Sequence, residues 1–178
     1  MKGIASHFAL LNENDIARKS VLLFDNNYKL LNIYALSDLS VETSGTLFVD
    51  GLVSLPIVSV SMRVDSEQWE QINKNYQIIG LHNAFGYNNA DPRPLLVDFA
   101  SEDNFECYRN IQKFFGNFAA VNLFEFVKAA TVRPALLTTL TTKIEIGKPY
   151  QLIAWQTVDL LNGRLKQHTR PAKLTLFE

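Results

Sequence analysis

Histidine is the side chain most often used for proton transfer and metal binding near neutral pH, and this chain has three: His7, His82 and His168. They lie far apart in sequence. None falls into the HxH or HExxH spacing by which one strand or one helix face presents two ligands to a metal ion. His7 sits in an alternating stretch and reads as a structural strand position, and His168 lies in a polar stretch and reads as solvated. His82 opens a loop rich in Asn, Gly and Pro, HNAFGYNNADPRP. A histidine there, if placed beside a carboxylate, would have its charged form favoured and could act as a general base. A purely structural role is the competing reading. The single cysteine, Cys107, falls inside a predicted helix between Glu106 and Tyr108, with nothing nearby to lower its pKa, and reads as a small buried apolar residue rather than a nucleophile. No G-x-S-x-G, P-loop or G-x-G-x-x-G string occurs; Gly86, Gly116 and Gly163 are isolated turn or cap glycines. The residue types predict no metal, no cofactor and no complete catalytic constellation.

The elements that must position these residues follow from patterning. Ser20 to Asp25 and Tyr28 to Tyr34 alternate as strands around Asn26-Asn27, which predicts a two-residue hairpin with Asn at positive φ. Thr46 to Val49, a tight turn at Asp50-Gly51 and Leu52-Val53 continue an antiparallel, strand-rich first third. Ile57 to Met62 is a β-branched run. Ser66 caps a predicted helix through Asn75, and Tyr76 to Leu81 and Pro94 to Asp98 are short apolar runs fit for buried strands. A second helix is predicted from Glu102 to Phe115 behind Ser101. A third runs from about Asn122 to Arg133, with Leu123, Phe126, Val127 and Ala130 on one face and Pro134 ending it. The aromatic run from Phe114 to Phe126 reads as core, with an exposed partner surface as the competing role. Strand signals return at Tyr150 to Trp155, Gln156 to Leu160 and Ala172 to Phe177.

Composition bounds the class. The chain has 178 residues, 47% hydrophobic, 20% charged and 11% aromatic, which is ordinary for a globular protein. At this length roughly 70% of the unfolded surface can be buried, enough for a core without staples. Seventeen Lys+Arg against eighteen Asp+Glu give a net charge of −1 with no basic block, so neither nucleic acid nor an anionic membrane is an expected partner. No apolar run approaches the ~18 residues of a spanning helix. The opening MKGIASHF lacks a basic region followed by a long apolar stretch, and one cysteine makes no internal disulfide, which together predict a cytoplasmic protein.

Several segments, taken in order, resemble a known family. IASHFALLN, VLLFDNNYKLLNI and LFVDGLVSLPIVSVSMR resemble the start of the amidohydrolase superfamily of metal-dependent hydrolases, where a strand pair with a D/N-G turn runs into the first strand of a TIM barrel carrying an HxH metal motif. LFEFVKAATVRPALL resembles that family's last helix, KIEIGKPYQLIAW the strand returning to the N-terminal sheet, and PLLVDFAS the last barrel strand. The resemblance implies an α+β fold in which residues 1–56 and 135–178 combine into a composite β-sandwich, with residues 57–134 an inserted α/β remnant of the barrel. It also exposes departures. Ser61 and Arg63 stand where the two metal-binding histidines belong; a hydroxyl is a poor ligand for a divalent ion and a guanidinium repels one. Too little chain separates Met62 from Pro94 for the six further βα units of a ~250-residue barrel.

Asp98 matches the family's last-strand aspartate. If the first and last barrel strands remain neighbours, Arg63 and Asp98 converge where the metal would sit, and a charge-assisted bond replaces it. Ser61, Arg63, His82 and Asp98 would then line a vestigial pocket. A barrel remnant would leave raw sheet edges that a second copy of the chain could cover, which predicts a homodimer or association with an intact paralogue through residues 57 to 118. The expected function is therefore a non-catalytic binding protein, with a small enzyme or small-molecule-binding protein reusing the old pocket as the alternative. An unrelated α+β protein is the third possibility, and there the two chain ends would not share a sheet.

Overall fold

Nine strands, two short α-helices and a 3-10 turn at Leu36–Asp38 are the delimited elements of the computed structural model, which describes residues 1–38, 45–62, 67–68, 71, 81–83, 93–96, 122–166 and 169–175. The strands are β1 Lys2–Leu10, β2 Ile16–Phe24, β3 Leu30–Ala35, β4 Thr46–Ser54, β5 Val58–Met62, β6 Leu81–Asn83, β7 Arg93–Leu96, β8 Ile153–Gln156 and β9 Arg170–Lys173. The helices are α1 Leu123–Ala130 and α2 Val132–Ala135. The fold is mixed α+β.

Six strands form one sheet in the order β3-β2-β1-β4-β8-β9. β4 is the hinge of this arrangement: it pairs in parallel with β1 and antiparallel with β8, so the two ends of the chain share a sheet. Side-chain alternation explains why β4 can lie centrally. Leu52 faces one apolar cluster and Val53 the other, and both are fully buried. On the first face, Leu123, Phe126, Val127 and Ala130 of α1 pack against Leu10, Leu52 and Trp155. Phe126 meets Trp155 edge to face at 5.7 Å between centroids. The indole Nε1 donates to Ser54 Oγ at 2.9 Å, and Ser54 Oγ donates to the Leu55 carbonyl at 2.9 Å, so a buried indole and a buried hydroxyl are both satisfied. On the second face, Ile144, Tyr150 and Leu152 cover Ile4, Leu22, Phe24 and Val49. The chain ahead of β8 also reaches the start of β3: Leu30 N–H donates to Lys148 O, Gly147 N–H to Leu30 O and Tyr150 N–H to Tyr28 O.

The hairpin between β2 and β3 differs from the expected two-residue Asn26-Asn27 turn. Asp25 N–H donates to Lys29 O, and the Asp25 carboxylate accepts from the N–H groups of Asn27 and Lys29 at 2.8 and 3.0 Å. The loop is thus three residues long, and its positive φ of 59° falls on Tyr28 rather than on either asparagine. Asp50-Gly51 also corrects the expectation of a turn. β4 runs straight through it, and the β1–β4 register shifts between Ser6 and Phe8, the mark of a bulge. Glycine is required there by proximity, because a Cβ at Gly51 would stand 2.0 Å from the Trp155 carbonyl oxygen.

The expected helix from Asn122 to Arg133 is present but broken. Asn122 caps α1 by accepting from Phe124 and Glu125 N–H at 2.9 and 3.1 Å. At Thr131 the backbone leaves the helical region (φ −125°, ψ −72°), and Thr131 Oγ1 donates back to Val127 O at 2.7 Å. Pro134 does not end the helix; it lies inside α2, within a first turn where its missing N–H has no intrahelical partner to lose. In the tail, the strand expected over Gln156 to Leu160 is absent beyond Gln156, the last residue of β8. Thr157 has φ 58°, and Asp159 and Arg164 close a turn with paired backbone bonds of 2.9 and 3.1 Å.

A second sheet has the order β6-β5-β7. β5 lies beside β7, as the expected adjacency of Ile57–Met62 and Pro94–Asp98 requires, but the pair is antiparallel, from Val58↔Leu96 to Ser61↔Arg93. Neighbouring strands in a TIM barrel are parallel. Here Met62 and Leu96, the two C-terminal strand ends, lie at opposite ends of the pair. Val58 packs on Ala135, with Leu137 and Leu140 around them. Of the helix expected from Ser66 to Asn75, residues 67, 68 and 71 are described and helical. The helix expected over Glu102 to Phe115, Cys107, Gly86, Gly116 and most of the segment expected to associate lie outside the described residues.

Candidate functional site

The four residues expected to line a vestigial pocket divide into two pairs. Ser61 and His82 are direct partners across the parallel β5–β6 ladder. His82 thus lies in the middle of a strand, where the sequence predicted the opening of a loop. Arg63, Asp98 and also His168 lie outside the described residues. Among the described residues, no group of three or more His, Cys, Asp and Glu side chains is placed to hold a metal ion, and no helix is long and apolar enough to cross a membrane.

His7 occupies the point where the sheet is least regular. It lies opposite the β4 bulge, and Lys19 in the neighbouring β2 has φ 45°. Its Nδ1 is 3.5 Å from the Asp50 carboxylate, and its ring stands edge-on to Phe48 at 5.4 Å. Nδ1 is buried without a hydrogen bond, and so are the hydroxyls of Ser6 and Ser20, which face each other across β1–β2. The Asp50 side chain is 77% exposed. Water around so open an aspartate screens its attraction for the imidazole, and among the described residues no group of three or more His, Cys, Asp and Glu side chains includes the pair.

The most developed polar network is elsewhere. Arg133 of α2 donates from Nε and Nη2 to Glu13 Oε1, both at 3.0 Å, and from Nη2 to Glu125 of α1. Lys128 donates to the other Glu125 oxygen at 3.1 Å. Burial works against the charge on both Glu125 and Arg133. The ionic bonds outweigh it, holding the Glu125 carboxyl below the usual carboxylate range and the Arg133 guanidinium above its ordinary value. The network ties the β1–β2 turn to both helices across the break at Thr131, a structural task. The Glu125–Lys128 spacing is visible in sequence; the Glu13–Arg133 contact spans 120 positions and carries no local signal.

Compared with protein-family models, with curated proteins and with solved structures, the chain finds no match. The geometry must therefore be read on its own terms.

Proposed function

We propose that this protein is a non-catalytic relative of the amidohydrolase superfamily that acts by protein–protein association, as a homodimer or as the partner of an intact paralogue. In this reading residues 1–56 and 135–178 are the family's composite β-sandwich, and residues 57–134 are a shortened remnant of the barrel in which β5 and β7 have re-paired antiparallel. One observation carries it. The chain ends join through β4, between β1 and β8, and the sequence that follows β4 reads Ser61-x-Arg63 in place of two histidines. A domain that keeps the joining of its ends and lacks the ligands is suited to binding rather than hydrolysis. Light scattering on the purified chain tests the association: the reading expects a dimer at micromolar concentration, and a clean monomer that also fails to bind an intact paralogue would sink it. A second reading, in which the old pocket handles a small molecule, is favoured by the pairing of Ser61 with His82. It requires Arg63 and Asp98 to face the same space, and Arg63→Leu would then abolish ligand binding without altering the oligomeric state.

A further inference from the structure

An open cleft of about 400 Å³ lies between the β2–β3 hairpin tip, the extended segment at 149–151 and the end of β9. Its frame is fixed by backbone bonds on every side. The Asp25 carboxylate holds the hairpin tip, Tyr28 O accepts from Tyr150 N–H at 3.0 Å, and Leu174 N–H donates to Leu152 O at 3.0 Å. Tyr150 is anchored further by its hydroxyl, which accepts from Glu145 N–H and donates to Lys143 O. Tyr28 keeps a positive φ of 59°, a conformation that costs free energy in a non-glycine residue. The polar side chains on this rigid frame, Asn27, Gln151, Lys173 and Thr175, make no hydrogen bond or ion pair among the described residues. A smaller, more apolar cleft of about 190 Å³, beside Leu55, Val58 and Leu140, shares Gln151 with the larger one but has no charged residue in its described lining, and its Thr131 and Thr141 hydroxyls are tied to backbone carbonyls.

We infer that the larger cleft binds a small amphipathic carboxylate. The carboxylate pairs with the Lys173 ammonium, amide or hydroxyl groups of the ligand meet Asn27, Gln151 and Thr175, and its apolar body lies on Pro149 and Leu174. The volume is in the range of small-molecule sites. Among the described residues Lys173 is the one charged residue lining the cleft, which fits a monoanion; a phosphate site would offer an arginine fork or a nest of backbone N–H groups, and the described lining has no arginine. The cleft contains none of Ser61, Arg63, His82 and Asp98, so the inference stands whether or not the proposed ancestry does.

The test is an amide-shift titration of the full chain with N-acetyl-L-leucine and, separately, with its neutral analogue N-acetyl-L-leucinamide. Shifts are expected to cluster at residues 27–28, 149–151 and 173–175, with the amide binding about fivefold more weakly, the upper end for a solvent-exposed ion pair. Lys173→Met should erase that preference and leave the melting temperature unchanged. No shifts, shifts confined to other surfaces, equal affinity for the two compounds, or a preference that survives Lys173→Met would each overturn the inference.

Discussion

Replacing Gly51 with alanine tests the joining of the chain ends at its tightest point. The added Cβ would lie 2.0 Å from the Trp155 carbonyl oxygen and 3.1 Å from its carbon. The clash is with backbone on the neighbouring strand, so no rotamer change can relieve it. Either β4 or β8 must move, and the ladder from Gly51↔Gln156 to Ser54↔Ile153 opens with it. Overpacking in well-packed cores costs about 1–3 kcal/mol, and a clash with no flexible partner belongs at about 3 kcal/mol or more. At roughly 2–4 °C per kcal/mol for a chain of this size, Gly51→Ala should lower the melting temperature by about 6–12 °C. Gly147→Ala is the control. Gly147 also has positive φ (92°), but a Cβ there meets nothing within 4 Å, so only backbone strain of about 1–2 kcal/mol is expected. Thermal unfolding followed by circular dichroism measures both. A Gly51→Ala protein that melts at or above the temperature of Gly147→Ala would refute the placement of β8 against β4.

Other consequences follow from the same packing. Trp155→Phe removes the indole donor from buried Ser54 and leaves a void, at a cost of about 2–4 kcal/mol; measured by chemical denaturation, the cost should be smaller in a Ser54→Ala background, since the two residues share one hydrogen bond. Asn122→Ala removes the cap of α1 and should cost about 1 kcal/mol in the same assay. The Glu125 carboxyl is held low by Arg133 and Lys128, so its stabilisation is complete above the ordinary carboxylate range and is lost as pH falls through the lowered value. A plot of melting temperature against pH should fall in that acid window for the wild type, and fall less steeply for Arg133→Met.

How much was legible depended on whether the signal was local. The alternation of β2 and β3, and the three- and four-residue spacing of Leu123, Phe126, Val127 and Ala130, are local, and the structure has those elements. Asp50-Gly51 misled because a D-G pair marks a turn when chain reversal needs positive φ, whereas here the glycine serves the approach of a strand about a hundred residues away. Asn26-Asn27 misled because the Asp25 carboxylate closes the loop and shifts the strained position to Tyr28. Pro134 reads as a stop in the sequence, yet the break at Thr131 places it in a new first turn. In the candidate pocket, the likeness to a barrel implied that β5 and β7 adjoin, and they do; it also implied that they run parallel, and they run antiparallel. Strand direction has no local signal, because the stretch between β5 and β7 is long enough for either connection.

With Ser61 and Arg63 in place of two histidines, the proposed reading has this protein without the metal chemistry of the family it resembles. Elemental analysis for Zn, Mn, Fe and Ni addresses it most directly, on protein never exposed to a chelator or a metal-affinity column. No stoichiometric metal is expected. About one metal ion per chain would contradict it, and His82 and Asp98 would then be the first residues to mutate.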